Sequence, residues 1–254
     1  MKGREHVVER TVTIAARRET VFGFFTDSAR FAAWWGEGST IDPRPGGAVR
    51  IRYPNGVEAG GAVVEIEPVH RIVFTFGYAS GDPVPIGGSR VTIRLEESPR
   101  GTILRLRHEL PSAQAAEAHV QGWRYHLSVF AHVVALEAHA GASAVADRFF
   151  ALWAETDPSR RRAAIEALVL PDVAFRDPYS CLEGRDDLDA HVSAAQRFMP
   201  GVVLERLGEA RQCQGTALVD WVAKGPDGAE RARGTNVFEL AADGRIARVT
   251  GLWG

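Results

Sequence analysis

SAQAAEAHVQGWRYHLSVFAHVVALEAH, Ser112 to His139, decides how this chain is read. Ala116, Val120, Trp123, Leu127, Phe130 and Val134 recur in it at alternating steps of four and three, which is one apolar face of a long helix. Such a face must be buried. A run of strands precedes it and a differently patterned unit follows it, so the helix closes one domain and marks the start of the next. Trp123 and Leu127 face the sheet, and His119 and His126 flank the apolar stripe.

The strands upstream alternate in polarity. Val8, Val12 and Ile14 oppose Glu9, Thr11 and Thr13, and an amphipathic turn with Val21, Phe22, Phe24 and Phe25 follows. Asp27 or Ser28 can cap the next helix, which carries Phe31, Trp34 and Trp35. Beyond Pro43–Gly47, Val49, Ile51 and Tyr53 share a face, Val64 and Ile66 oppose Glu65 and Glu67, and Ile72, Phe74, Phe76 and Tyr78 share another. Val91, Ile93 and Leu95 alternate with Thr92 and Arg94, and Leu104, Leu106 and His108 with Arg105 and Arg107. Asn55-Gly56 and Ser98–Gly101 are hairpin signals. An antiparallel sheet with one solvated face fits, its other face free to hold the helix.

Behind the helix, Gly141-Ala142-Ser143 is a short linker with Ser143 placed to cap the next helix, which carries Val145, Phe149, Leu152 and Trp153. Asp157-Pro158 separates it from a second helix at Ser159–Leu168. Val173–Pro178 is a short strand, and Gly184-Arg185 opens a third helix with Leu188, His191, Val192 and Ala195. Four strands follow as a meander, turning at Gly225–Gly228 and Asp243-Gly244. Helices followed by long antiparallel strands indicate an α+β domain. The expected domains are residues 1–140 and 141–254.

Composition bounds function. Of 254 residues, 45% are hydrophobic and 24% charged, as in globular proteins. Thirty basic against 32 acidic residues leave a charge of -2, so neither nucleic acid nor an anionic membrane is an expected partner. Met1 to His6 lacks an apolar signal core, and no run of about twenty apolar residues could span a bilayer. Cys181 and Cys213 are not in a metal spacing and read as reduced thiols. No metal set, phosphate loop or dinucleotide fingerprint is present, so no cofactor is expected. A cytoplasmic location follows from these readings.

Phe25-Thr26-Asp27, Trp34-Trp35-Gly36, Pro45-Gly46-Gly47, Val64–Pro68, Arg71–Thr75, Arg107-His108-Glu109 and Gly122-Trp123 resemble, in order, the family named for the activator of the heat-shock-protein ATPase. That family lies within the START-like, helix-grip (SRPBCC) superfamily. The resemblance implies a curved antiparallel sheet around a long C-terminal helix, with a cavity between them. Its members bind ligands, aromatise or cyclise polyketides, or act as co-chaperones, so fold alone does not settle function. The candidate lining is Trp34, Trp35, Tyr53, Phe74, Phe76, His108, Trp123 and His126. Core packing of the aromatics, with His108 a hydrogen-bonded structural histidine, stands as the competing reading.

Phe175–Pro178, Gly184-Arg185, Asp220-Trp221 and Asn236–Leu240 running on to Leu252-Trp253 resemble the SnoaL-like branch of the nuclear-transport-factor-two-like superfamily. This implies a cone-shaped α+β barrel, and homodimerisation. Against ketosteroid isomerase within that superfamily, Asp177-Pro178 matches the base, Asn236 replaces an oxyanion-binding aspartic acid, and Phe149 replaces the oxyanion tyrosine. Losing one such donor typically costs about a hundredfold or more in rate, which disfavours steroid isomerisation. Asp177, His191 and Asn236 are the candidate catalytic set, with Phe149, Trp153, Trp221 and Trp253 as candidate walls. A turn-capping Asp177 and a structural His191 are the alternative.

Three functions remain open: binding of a small apolar or aromatic molecule, cyclase- or isomerase-like proton transfer with Asp177 as base, and a co-chaperone-like interaction module.

Overall fold

The computed structural model describes residues 6–254, so Met1 to Glu5, on which the leader reading rests, lie outside the described residues. Contacts divide the chain into two compact units, Met1–Ala135 and Leu136–Gly254. Each is a mixture of helices and one sheet.

The first unit runs β1 (His6–Ile14), α1 (Arg18–Gly23), α2 (Ser28–Trp35), β2 (Thr40–Ile41), β3 (Ala48–Arg52), β4 (Glu58–Glu67), β5 (Arg71–Tyr78), β6 (Ser89–Ser98), β7 (Gly101–Leu110) and α3 (Ala113–Ala138). The sheet order is β1-β7-β6-β5-β4-β3-β2 with antiparallel neighbours. Asp27 caps α2 by accepting from the Arg30 amide at 2.9 Å, and the Ser112 hydroxyl accepts from the Ala115 amide at 3.1 Å to start α3.

The buried line of α3 passes through Trp123, Leu127, Phe130 and Val134 as expected, but continues upstream through His119 and Ala115. Ala116 and Val120 are only half-buried. Stepping back from Trp123 by four rather than three keeps the helix side that meets the sheet, where the His119 ring packs 5.8 Å from Phe76 and 4.9 Å from His108. His119 therefore belongs to the stripe it was expected to flank. Farther along, Phe130 stacks on Phe25 at 5.0 Å and meets Trp34 edge-on at 4.9 Å. Such pairs add about 0.5–1.5 kcal/mol each beyond their area.

The expected facing of Val64 fails. A bulge between Val63 and Glu65 shifts the register on β5, burying Val63 and turning Val64 outward. One inserted residue reverses the alternation beyond it.

The second unit contains α4 (Ala142–Ala151), α5 (Pro158–Leu168), β8 (Val169–Asp177), β9 (Ser180–Glu183), α6 (Arg185–Phe198), β10 (Val203–Cys213), β11 (Thr216–Lys224), β12 (Glu230–Leu240) and β13 (Ile246–Trp253). Asp157 caps α5 through the Ser159 and Arg160 amides, with Pro158 in its first turn. Ser143 does not cap α4: its hydroxyl donates to Glu209 at 2.7 Å and accepts from the Ala210 amide at 3.0 Å, tying α4 to β10.

The sheet order is β10-β11-β12-β13-β8-β9, and β13 lies parallel to β8. β10 to β13 form the expected antiparallel meander, and its last strand pairs on its other side with β8, the first strand of the unit. Phe149, Phe150, Phe175 and Phe238 form the aromatic centre of the core beneath this sheet. Arg161, 4% exposed, pairs with Asp189 at 2.6 Å and donates to Glu155 O and Gln196 Oε1. A buried cation needs such a set of partners, and this one fixes α5 to α6. No single described helix is long and apolar enough to cross a membrane.

Candidate functional site

The second unit holds a cavity of about 600 Å³ whose lining includes Asp177, His191, Asn236, Trp153, Trp221 and Trp253. Strand parity and register bring them together. Thr250 pairs with Arg176, and Gly251 pairs with Asn236, so Asp177, Gly251 and Asn236 lie in one row across β8, β13 and β12. A Cβ on Gly251 would stand 3.2 Å from both Asp177 Cβ and Asn236 Oδ1. Glycine at this point lets Asp177 and Asn236 approach the same spot on β13 from either side, more closely than a side chain there would allow.

Asn236 is buried, and its Oδ1 accepts from the Trp221 indole N–H at 3.0 Å. An indole nitrogen can only donate, so the amide orientation is fixed and Nδ2 is left as a donor. Asp177 Oδ1 accepts from the Tyr179 amide at 2.9 Å in an Asx turn, and the residue is half-buried at the cavity edge. Both readings of Asp177 thus apply to one side chain: one oxygen holds the turn while the carboxylate lines the cavity.

His191 is half-buried against Phe175, ring centres 5.4 Å apart, with Nδ1 3.3 Å from Ser180 Oγ. Burial lowers its pKa and the charge of Asp177 opposes that shift, so the ring stays neutral near pH 7. Trp221 and Trp253 meet edge-on at 5.4 Å. Phe149 lies outside the lining, fully buried in the core, where it supports Trp153 and Phe175 from behind.

Several lining residues escaped the sequence reading, and three of them bear on the geometry of the site. Gly251 is one, although its place between Val249 and Trp253 put it on the cavity face. Ser180 orients His191. Gln196 gives its amide to Trp153 O and Glu155 O at 3.1 and 2.8 Å, bracing the end of α4.

The first unit holds a smaller cavity of about 270 Å³ between α3 and the sheet, lined by Trp35, Tyr53, Phe76, Trp123 and His126, and also by Tyr78 and His119. Trp34 and Phe74 are buried in the core outside this lining. His108 lies behind it. The Trp123 indole donates to His108 Nδ1 at 2.9 Å, which leaves the ring proton on Nε2; that nitrogen is 2.8 Å from Ser89 Oγ, whose own proton goes to Phe76 O at 2.8 Å. Burial, helped by His119 nearby, pushes the His108 pKa down to about 3. Burial also raises the pKa of the Tyr53 and Tyr78 hydroxyls.

Among the described residues no three His, Cys, Asp or Glu side chains cluster as metal ligands. Cys181 and Cys213 are both exposed and unpaired.

Comparison with known proteins places these two units. Residues 15–135 match the family model described as activator of Hsp90 ATPase homolog 1-like protein, and residues 146–249 match that of the SnoaL-like domain. No curated protein matches the chain. Among solved structures, an AHSA1-like protein from Rhizobium etli is 34% identical, over 52% of this chain and 82% of that one, with a TM-score of 0.42. An inferred isomerase of the SnoaL-like family from Agrobacterium tumefaciens is 28% identical, over 46% of this chain and 98% of that one, with a TM-score of 0.43. The chain thus belongs, through its first half, to the AHSA1-like helix-grip family and continues into a SnoaL-like domain.

Proposed function

We propose that the SnoaL-like domain binds a small, mainly apolar ring compound bearing a carbonyl, and that Asp177 moves a proton on the carbon beside that carbonyl. The observation that carries this reading is the row that sets Asp177 and Asn236 on either side of Gly251 in the cavity lining. Aromatic walls with a few placed polar groups suit an apolar ring. The carbonyl oxygen accepts from Asn236 Nδ2. Asp177 takes a proton from the adjacent carbon, and the bonding electrons move onto the oxygen as an enolate. The resulting carboxylic acid then returns the proton to the same or a conjugated carbon. His191, kept neutral by burial, adds an uncharged polar edge.

The experiment is deuterium wash-in. With 2-tetralone in D2O, the wild-type chain should accelerate exchange at the α-carbon, read by proton NMR, and Asp177→Asn should not, while both bind the ketone equally. Tetralone that binds without accelerated exchange leaves a binding domain and removes the proton-transfer reading.

A further inference from the structure

On the outward face of the first unit's sheet, the strand register mostly sets opposite charges side by side. Arg90 on β6 lies across from Glu109 on β7, and Arg107 on β7 lies across from Glu9 on β1. One row breaks this order. Arg94 on β6 lies directly across from Arg71 on β5 and, on its other side, from Arg105 on β7. Three like charges abreast on adjacent strands, about 5 Å apart, are destabilising by themselves.

Counter-charges reach only the outer two. Glu65 holds Arg71 at 2.5 Å, and Glu96 holds Arg105 at 2.9 Å. Arg107, diagonally beside Arg94, is held by Glu9 at 2.8 Å. Arg94 itself is exposed and pairs with no carboxylate among the described residues. These four arginines line a cleft of about 660 Å³ together with Thr11 and Thr92, and Glu9 and Glu109 are its only acidic lining residues.

The chemistry of the cleft selects its occupant. Guanidinium forks donate in pairs to phosphate or carboxylate oxygens. One carboxylate neutralises one of these cations, whereas a row three strands wide, about 10 Å across, calls for several negative charges packed together. Linked phosphates have that charge density. The two threonine hydroxyls can donate to further oxygens. No aromatic side chain lines the cleft, so nothing there stacks on a base or ring.

We propose that this cleft binds a small anion of two or three linked phosphates, centred on Arg94 with Arg71 and Arg105 on either side. It reads the phosphates and nothing attached to them. The site belongs wholly to the first unit and is independent of the proton transfer proposed for the SnoaL-like domain.

The test is titration calorimetry of the full chain with sodium triphosphate, ATP, orthophosphate and citrate, at low and at high salt. Triphosphate and ATP should bind alike, about tenfold tighter than orthophosphate or citrate, and more weakly as salt rises. Arg94→Gln should weaken triphosphate about tenfold, the scale of one charge-assisted hydrogen bond. Arg50→Gln removes the same charge from β3, outside the cleft, and should leave the affinity unchanged. Should Arg94→Gln not fold, the wild-type ranking of the four probes still decides. Absence of triphosphate binding, equal weakening by both variants, or citrate binding as tightly as triphosphate overturns the proposal. A marked preference for ATP over triphosphate also overturns it, because it would place the anion at a surface that reads the base.

Discussion

The indole N–H of Trp221 donates to Asn236 Oδ1 over 3.0 Å, from one strand to its antiparallel neighbour, with both side chains buried. Trp221 is therefore a positioning residue as well as a wall, because it occupies the Asn236 amide oxygen and leaves Nδ2 as the donor. Trp221→Phe keeps the ring and removes that instruction. Exchange at the tetralone α-carbon should fall by about tenfold with little change in affinity for a ketone-free analogue such as tetralin. Asn236→Leu, which removes the donor itself, should lose about a hundredfold. NMR exchange rates set beside calorimetric affinities separate the two effects.

Asp177→Asn leaves an oxygen able to accept from the Tyr179 amide, so the turn before Pro178 should survive. Thermal denaturation should shift by no more than a few degrees. Proton transfer should drop by about 100- to 10,000-fold, the range typical of a lost general base. A variant that unfolds would instead identify Asp177 as a turn residue above all.

Gly251→Ala should crowd Asp177 and Asn236. The new methyl would stand 3.2 Å from an atom of each, so the neighbours must give by a few tenths of an ångström. Tetralone affinity should fall about tenfold, while stability changes by no more than about 1 kcal/mol. Titration calorimetry and urea denaturation of the one variant provide both numbers.

His108 gives the helix-grip domain a pH dependence. Its pKa is about 3 in the fold and 6.5 when exposed. Between those values the unfolded chain takes up a proton that the folded chain refuses. Stability is thus fully present above pH 6.5 and falls as pH drops towards 3, by up to about 1.4 kcal/mol per pH unit. His119 and His126, also lowered by burial, act in the same direction. Urea denaturation of wild type and His108→Gln at pH 7 and pH 4.5 should show the wild type losing about 2 kcal/mol more. Equal losses would mean that His108 does not stay neutral.

Much of this architecture was legible because period-two and helical alternation are local properties. Asp27, Asp157-Pro158 and the Asn55-Gly56 turn read directly from residue type. What failed was non-local. Nothing local in Val63–Glu65 announces the bulge that turns Val64 outward, and it follows from the pairing with β5. The line from Trp123 back through His119 was missed because two spacings fit one helix, and only the sheet opposite selects between them. Asp177 and Asn236 could each be assigned a face, yet their opposition depends on β13 entering in parallel beside β8. Phe149 stood in the expected helix, but the core-facing side of that helix also satisfies the same pattern.

That parallel insertion sets the order in which the second domain can become functional. Val249 pairs with Phe175 across most of the domain's length, so β13 makes the pairing with the largest loop-closure cost. Gly251 and Trp253 arrive with it. Hairpins β10–β11 and β11–β12 can form early from neighbouring segments, but none of them contains a complete pocket. Recovery of ligand binding after dilution from denaturant should therefore track the slowest step of folding, making the pocket a clock for completion of the sheet.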